Sequence, residues 1–253
     1  MPIALITGTT SGIGKATADT LAKEGYDLIL NGRRLDRLEQ QALELTNTYG
    51  IKTYLMHLDV RHAESVIDAI ANLPKDWKKI NVLVNNAGLA AGLGTLETGS
   101  LDHWNAMIDT NVKGLLHISR ATIPLLKETK GHIINIGSIA GKEVYPGGNV
   151  YCGTKHMVDA LNKSMRRELA EFGVRVSSVN PGAVETEFSI VRLDGDEAKA
   201  KNVYEGFENL VAQDIADAIW FILNRPKHVN INELIIMPTA QPAAGIVIRD
   251  TEI

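Results

Sequence analysis

The chain has 253 residues, of which 45% are hydrophobic, and a formal net charge of -4 with both signs interspersed. That supplies a full core for one α/β domain over residues 1–253, and the lack of a basic face or tail argues against a nucleic-acid partner. The lone cysteine, Cys152, excludes an internal disulfide and fits a reducing compartment. The start, MPIALITG, has no basic region ahead of its apolar run, and no run approaches the ~18–20 apolar residues that span a bilayer. The expectation is a soluble, cytoplasmic protein that does not engage a membrane.

Strands and helices alternate along the chain. Ile3 to Thr7 reads as a buried strand, Gly12 to Glu24 as a helix stopped by Gly25, and Tyr26 to Asn31 as a second strand. A charged amphipathic helix follows from Leu35 to Tyr49. The third strand is Lys52 to Leu58, the next helix Ala63 to Leu73, and the fourth strand Val82 to Asn85. A long helical region, with a break, covers Leu101 to Lys127. His132 to Ile136 is strand five, Val150 to Phe172 a long helix, and Val174 to Val179 strand six. Gln213 to Leu223 is a last helix and Glu233 to Met237 a seventh strand. Strands such as IALIT and IINIG are apolar without alternation, as when both sheet faces are covered. The pattern predicts a doubly wound Rossmann fold, an α/β sandwich with a seven-stranded parallel sheet in the order 3-2-1-4-5-6-7. The polar stretch Glu185 to Glu208 follows strand six, at the sheet edge where such folds bind ligands. It reads either as a mobile lid or as an ordinary surface helix pair.

The turn TGTTSGIG leaves strand one and opens the first helix. Gly8, Gly12 and Gly14 allow a tight turn and close approach to a pyrophosphate at the helix N-terminus, with Thr9, Thr10, Ser11 and Ile13 as its other candidate contacts. The spacing differs from the common G-x-G-x-x-G fingerprint. At the end of strand two an acidic residue would take a ribose 2′-hydroxyl, but the chain reads Asn31, Gly32, Arg33, Arg34. Guanidiniums are disfavoured at the positive end of a helix dipole unless an anion meets them. Arg33 and Arg34 therefore predict NADP(H) rather than NAD(H), with Thr9 and Thr10 as possible helpers. Asp59, followed by Val60, reads as an adenine ligand or a helix cap. Asn86, Ala87 and Gly88 of NNAG read equally as loop structure or as coenzyme contacts.

Tyr151 and Lys155 lie one helical turn apart in NVYCGTK, and Ser138 ends strand five. A neutral phenol is a poor acid or base at pH 7, and an ammonium at i+4 shares its helix face. At about 4 Å and an effective dielectric of about 20 their attraction is on the order of 4 kcal/mol, enough to lower the phenol's pKa toward neutrality. Such a phenol exchanges protons with an alcohol or a forming alkoxide. Cys152 is rotated about 100° from Tyr151 and reads as packing. The seven histidines have no ligand spacing, so no metal is expected.

These motifs, with Asn111 in NVKG and NPGAVET at Asn180 to Thr186, make the chain resemble the short-chain dehydrogenases/reductases over almost its whole length. The resemblance implies a tetrad of Asn111, Ser138, Tyr151 and Lys155. In it the serine orients the substrate oxygen, the tyrosine moves the proton, the lysine also holds the nicotinamide ribose, and the asparagine positions a relay water. Pro181, Gly182, Val184 and Thr186 would line the nicotinamide. YPGGNVYCGTK, TEFSIVR and HVNINELIIMPTAQ look like the NADP-dependent 3-hydroxy acid dehydrogenases. That subgroup implies a small-molecule substrate such as serine, allo-threonine or 3-hydroxypropanoate (malonic semialdehyde), and a homotetramer. The apolar stretch Ala243 to Ile248 suits such an interface or folds back on its own subunit. Arg192 is a candidate partner for the substrate carboxylate, or a solvated lid arginine. The alternatives are a reductase of bulkier ketones or acyl intermediates, and a dinucleotide sensor without catalysis.

Overall fold

Residues 1–249 are described in the computed structural model. Its first half runs β1 (Ile3–Thr7), α1 (Gly12–Lys23), β2 (Asp27–Gly32), α2 (Leu35–Tyr49), β3 (Thr53–His57), α3 (Ala63–Ala71) and β4 (Ile80–Asn85). Next come α4 (Leu101–Ile108), a π-helical segment (Asp109–Gly114), α5 (Leu115–Thr129), β5 (His132–Ile136) and α6 (Asn149–Leu169). The chain then forms β6 (Arg175–Pro181), β7 (Val184–Glu185), α7 (Phe188–Arg192), α8 (Glu197–Asn202), β8 (Leu210–Val211), α9 (Ala212–Leu223) and β9 (Glu233–Ile236).

The main sheet has seven strands in the order β3-β2-β1-β4-β5-β6-β9. Every pairing in it is parallel. This is the expected order, with β9 as its seventh strand. The continuous apolar strands have a simple cause. Ala4 and Ile6 of β1 enter a core with Leu21 of α1, Leu38 of α2 and Ile219 of α9. Their neighbours Ile3 and Leu5 point the other way, into a core with Val66 of α3, Ile118 of α5 and Val158 of α6. Side chains alternate across a strand, so burial on both faces demands apolar residues at every position.

Two features give form to what the sequence left open. The break in the long helix is a π-helical turn that carries Asn111. Within Glu185–Glu208 the chain forms two short helices, α7 and α8, and β7 pairs with β8 through Val184↔Leu210 and Glu185↔Val211. Two-residue strands are too short to leave a periodic pattern. This small parallel ribbon frames the segment beyond the C-terminal edge of the main sheet.

Candidate active site

A cavity of about 550 Å³ runs along that edge, from the glycine turn past Ser138 and Tyr151 to Arg192. At one end the glycine turn is locked against NNAG. The Asn86 amide donates to the carbonyls of Thr7 (2.8 Å) and Gly8 (3.1 Å), while the Thr7 hydroxyl accepts from the backbone N–H of Asn86 and Ala87. A Cβ at Gly14 would overlap the Gly8 carbonyl and the Asn86 amide, so only glycine lets the turn close here. Gly8 and Gly12 have φ of +71° and +53°, the left-handed region. Gly8, Thr10, Ser11, Gly12 and Ile13 line the cavity. Gly14 is behind them. Thr9 is fully buried with its hydroxyl toward the Asn31 carbonyl at 3.4 Å, so its expected help to a 2′-phosphate is not what its orientation provides. Ser11, at the N-cap of α1, makes no side-chain capping bond, and the helix presents its positive end to the cavity.

The arginines after β2 differ from one another. Arg33 is 64% exposed and meets Asp59 only at 3.9 Å. Arg34 is braced: Nε and Nη2 donate to the Thr10 hydroxyl at 3.2 and 2.9 Å, and Nη1 donates to Glu187 at 3.1 Å. The other Glu187 oxygen accepts from Arg37 at 2.8 Å. The hydrogen bond from Arg37, followed by that from Arg34, holds the Glu187 carboxyl below the ordinary range against the opposing effect of burial. Arg37 and Glu187 were not anticipated. Arg34 and Glu187 are 153 residues apart, a separation no local pattern spans. Asp59 spends both carboxylate oxygens on the Arg61 backbone N–H and guanidinium, a turn-forming role, while still lining the cavity beside Val60.

The catalytic candidates converge from three elements. Ser138 follows β5; its hydroxyl accepts from the Ala140 N–H at 3.1 Å and faces the Pro181 carbonyl at 3.5 Å. Tyr151 and Lys155 sit on the first turns of α6, both buried. The Lys155 ammonium donates to the Ile136 carbonyl at 2.9 Å and is 6.0 Å from the Tyr151 ring centre. Burial pulls Lys155 down to about 8. Burial also pushes the Tyr151 phenol up, and the nearby Tyr145 adds to the rise; the Ser138 hydrogen bond and the Arg192 charge pull the other way. This corrects the simple electrostatic expectation. In the free protein desolvation of the phenol outweighs the cations around it, and the lysine is anchored to a carbonyl rather than to the phenol.

Asn111 spends its side chain on backbone and hydroxyl partners. Its side chain accepts from the Leu89 N–H and donates to the Leu89 carbonyl, both at 2.8 Å, and donates to the Thr154 hydroxyl at 3.1 Å. The side-chain amide is thereby committed to protein groups. It adjoins the other members through Gly88, whose added Cβ would lie 3.2 Å from the Asn111 oxygen and 3.7 Å from the Lys155 nitrogen. Pro181, Gly182, Val184 and Thr186 all line the cavity. Cys152 is a buried free thiol.

Arg192 closes α7 and turns inward. Its Nη1 donates to the Tyr145 hydroxyl at 3.0 Å, and its guanidinium carbon lies 5.6 Å from the Tyr151 ring centre. Nε and Nη2 are buried without a hydrogen-bond partner in the protein. Phe188, at the other end of α7, packs edge-on against Tyr151 with ring centres 5.7 Å apart. Tyr145 was another residue the motifs did not single out.

A phenol, a hydroxyl and a buried ammonium thus lie at the far end of a glycine-turn cavity. The family model for short chain dehydrogenases matches residues 2–196. The chain belongs to the short-chain dehydrogenase family. It is 42% identical over 246 residues to the NADP-dependent 3-hydroxy acid dehydrogenase YdfG of Escherichia coli strain K12, covering 96% of this chain and 98% of that protein. It is also 42% identical over 241 residues to the serine 3-dehydrogenase of Rhizobium radiobacter, covering 95% of each. Among solved structures, the closed form of a serine dehydrogenase complexed with NADP+ superposes with a TM-score of 0.91 at 42% identity, over 98% of this chain and 99% of that one. The short-chain dehydrogenase fold thus accounts for the sheet order and for the position of the cavity.

Proposed function

We propose that this enzyme, an NADP-dependent oxidoreductase acting on a hydroxyl group, takes small 3-hydroxy acids such as serine, allo-threonine or 3-hydroxypropanoate. The observation that carries the substrate class is Arg192. A guanidinium with two buried, unpaired nitrogens is costly unless an anion completes it. A planar carboxylate does so through parallel hydrogen bonds. Arg192 lies beside Tyr151, so an acid held there sets a nearby carbon-bound hydroxyl against the phenol. The names of the relatives with 42% identity point to the same chemistry.

The residues present fit the coenzyme. The turn Gly8–Gly14 and the start of α1 suit its pyrophosphate, Arg33, Arg34 and Thr10 its 2′-phosphate, and Lys155 its nicotinamide ribose. The nicotinamide supplies the two-electron acceptor or donor. In the oxidative direction Ser138 orients the substrate hydroxyl and Tyr151, as phenolate, takes its proton while the carbinol C–H bond breaks. In the reductive direction Tyr151 returns that proton to the forming alkoxide. The Lys155 ammonium favours the phenolate once a ligand fills the cavity and water is excluded. Asn111 acts as a positioning residue that holds the Leu89 backbone and, next to it, Gly88 at Lys155. A panel of 3-hydroxy acids, 2-hydroxy acids and neutral alcohols with NADP+, followed at the reduced-nicotinamide absorbance, tests this reading. Turnover of 3-hydroxy acids ahead of neutral alcohols is expected; preference for bulky neutral substrates, or no turnover at all, contradicts it.

A further inference from the structure

Glu187 is the root of α7, immediately before Phe188, and both its oxygens are engaged by arginines at the coenzyme end of the cavity. Arg34 is the pivotal group. One edge of its guanidinium is held by the Thr10 hydroxyl, at the place where the cavity meets the strand-two turn, and Nη1 is taken by Glu187. Arg33 has no comparably tight anion of its own, because Asp59 is spent on Arg61. A 2′-phosphate brings about 1.5 to 2 negative charges to this cluster. It must then share Arg34 with a carboxylate already there, and two anions on one guanidinium repel each other. A coenzyme with a bare 2′-hydroxyl meets no such competition.

We propose that Glu187 sets the enzyme's coenzyme discrimination, acting as an internal anion on Arg34 and Arg37 that holds NADP(H) affinity below what the arginines alone would give. This rests on the reading that Arg33 and Arg34 face the 2′-phosphate. The cluster is half exposed, with side-chain exposures of 39% for Arg34 and 43% for Glu187, so solvent moderates the effect. The same contact ties the start of α7, the helix that ends in Arg192, to the strand-two turn.

The test is calorimetric binding of NADP+, NAD+, 2′,5′-ADP and 5′-AMP to the full chain, in wild type, Glu187→Gln, Glu187→Ser and Arg34→Ala. Both Glu187 variants are expected to bind NADP+ and 2′,5′-ADP about three- to fivefold more tightly, with NAD+ and 5′-AMP within about twofold of wild type. The gain should shrink in high salt. Unchanged or weaker NADP+ binding, or equal shifts for phosphorylated and unphosphorylated ligands, overturns the inference. Arg34→Ala separates the two layers. If it weakens NADP+ no more than NAD+, the 2′-phosphate reading itself fails. If it discriminates while the Glu187 variants do not, only the role of Glu187 is lost.

Discussion

At the scale of single residues, the site works by withholding solvent from ionisable groups. Lys155 illustrates the consequence. Burial lowers its ammonium to about 8 from the ordinary lysine value of 10.5. The native state therefore releases this proton before the unfolded chain does, so between about pH 8 and 10.5 the unfolded state binds more protons and stability from this group rises with pH. Below that window the buried charge is a cost. With carbon-13 at the lysine ε positions, one resonance of the free enzyme is expected to titrate near pH 8 and to vanish in Lys155→Met; titration of every lysine near 10 contradicts the assignment. Tyr151→Phe is a second test at this scale. Removal of the proton-transfer group should cut kcat by at least about 10²- to 10⁴-fold and leave NADP+ affinity nearly unchanged. A variant that keeps most of the wild-type rate would exclude Tyr151 as the proton carrier.

At the scale of elements, the π-helical turn between α4 and α5 deserves its sequence signature, the break in an otherwise amphipathic run. π-turns inside helices cluster at functional sites because they redirect a side chain at the expense of a regular bond pattern. Here the turn delivers Asn111 to the Leu89 backbone. Asn111→Ala leaves a part-buried N–H and a part-buried carbonyl without their partner at once, an expected loss of about 1–3 kcal/mol. A thermal unfolding midpoint lower by several degrees is expected, with turnover falling because Leu89 and Gly88 lose their fixed place. An unchanged midpoint would show that the contacts do not bear on stability. The main strands and helices were legible in the sequence because each apolar run serves two cores, as the alternation of Ile3 and Leu5 against Ala4 and Ile6 makes plain. That Ser138, Tyr151 and Lys155 would share one cavity was legible because they carry their chemistry in their residue types. Glu187, Arg37 and Tyr145 were not, since each acquires meaning only from a partner distant in the chain: Arg34 for Glu187, Glu187 for Arg37, and Arg192 for Tyr145. The orientation of Thr9 and the full engagement of the Asn111 amide were invisible for the same reason.

At the scale of the whole molecule, part of the C-terminal stretch folds back on its own subunit. Ala244 is buried and its N–H is taken by Glu143, and Ala244, Gly245 and Val247 line the cavity of their own subunit. Ile246 and Ile248 remain exposed at 55% and 64%. No helix among the described residues is long and apolar enough to cross a membrane. We infer that these isoleucines are covered in a homotetramer, as exposed apolar strips commonly mark protein contacts. Light scattering at micromolar concentration should give four times the chain mass, and a monomeric mass would rule the assembly out.

The same scale joins the two ends of the cavity, since α7 carries Arg192 at one terminus and follows Glu187 at the other. The central claim is that Arg192 reads a carboxylate while Tyr151 handles the proton. Steady-state kinetics of Arg192→Leu with NADP+ test it most directly, with serine or 3-hydroxypropanoate set against a neutral secondary alcohol. A charge contact present in both ground and transition states should appear mainly in KM. The account predicts a KM for the acids raised by about 10- to 150-fold, from a lost charge-assisted contact of roughly 1.5–3 kcal/mol, with the neutral alcohol little affected. Equal losses for charged and neutral substrates would contradict it.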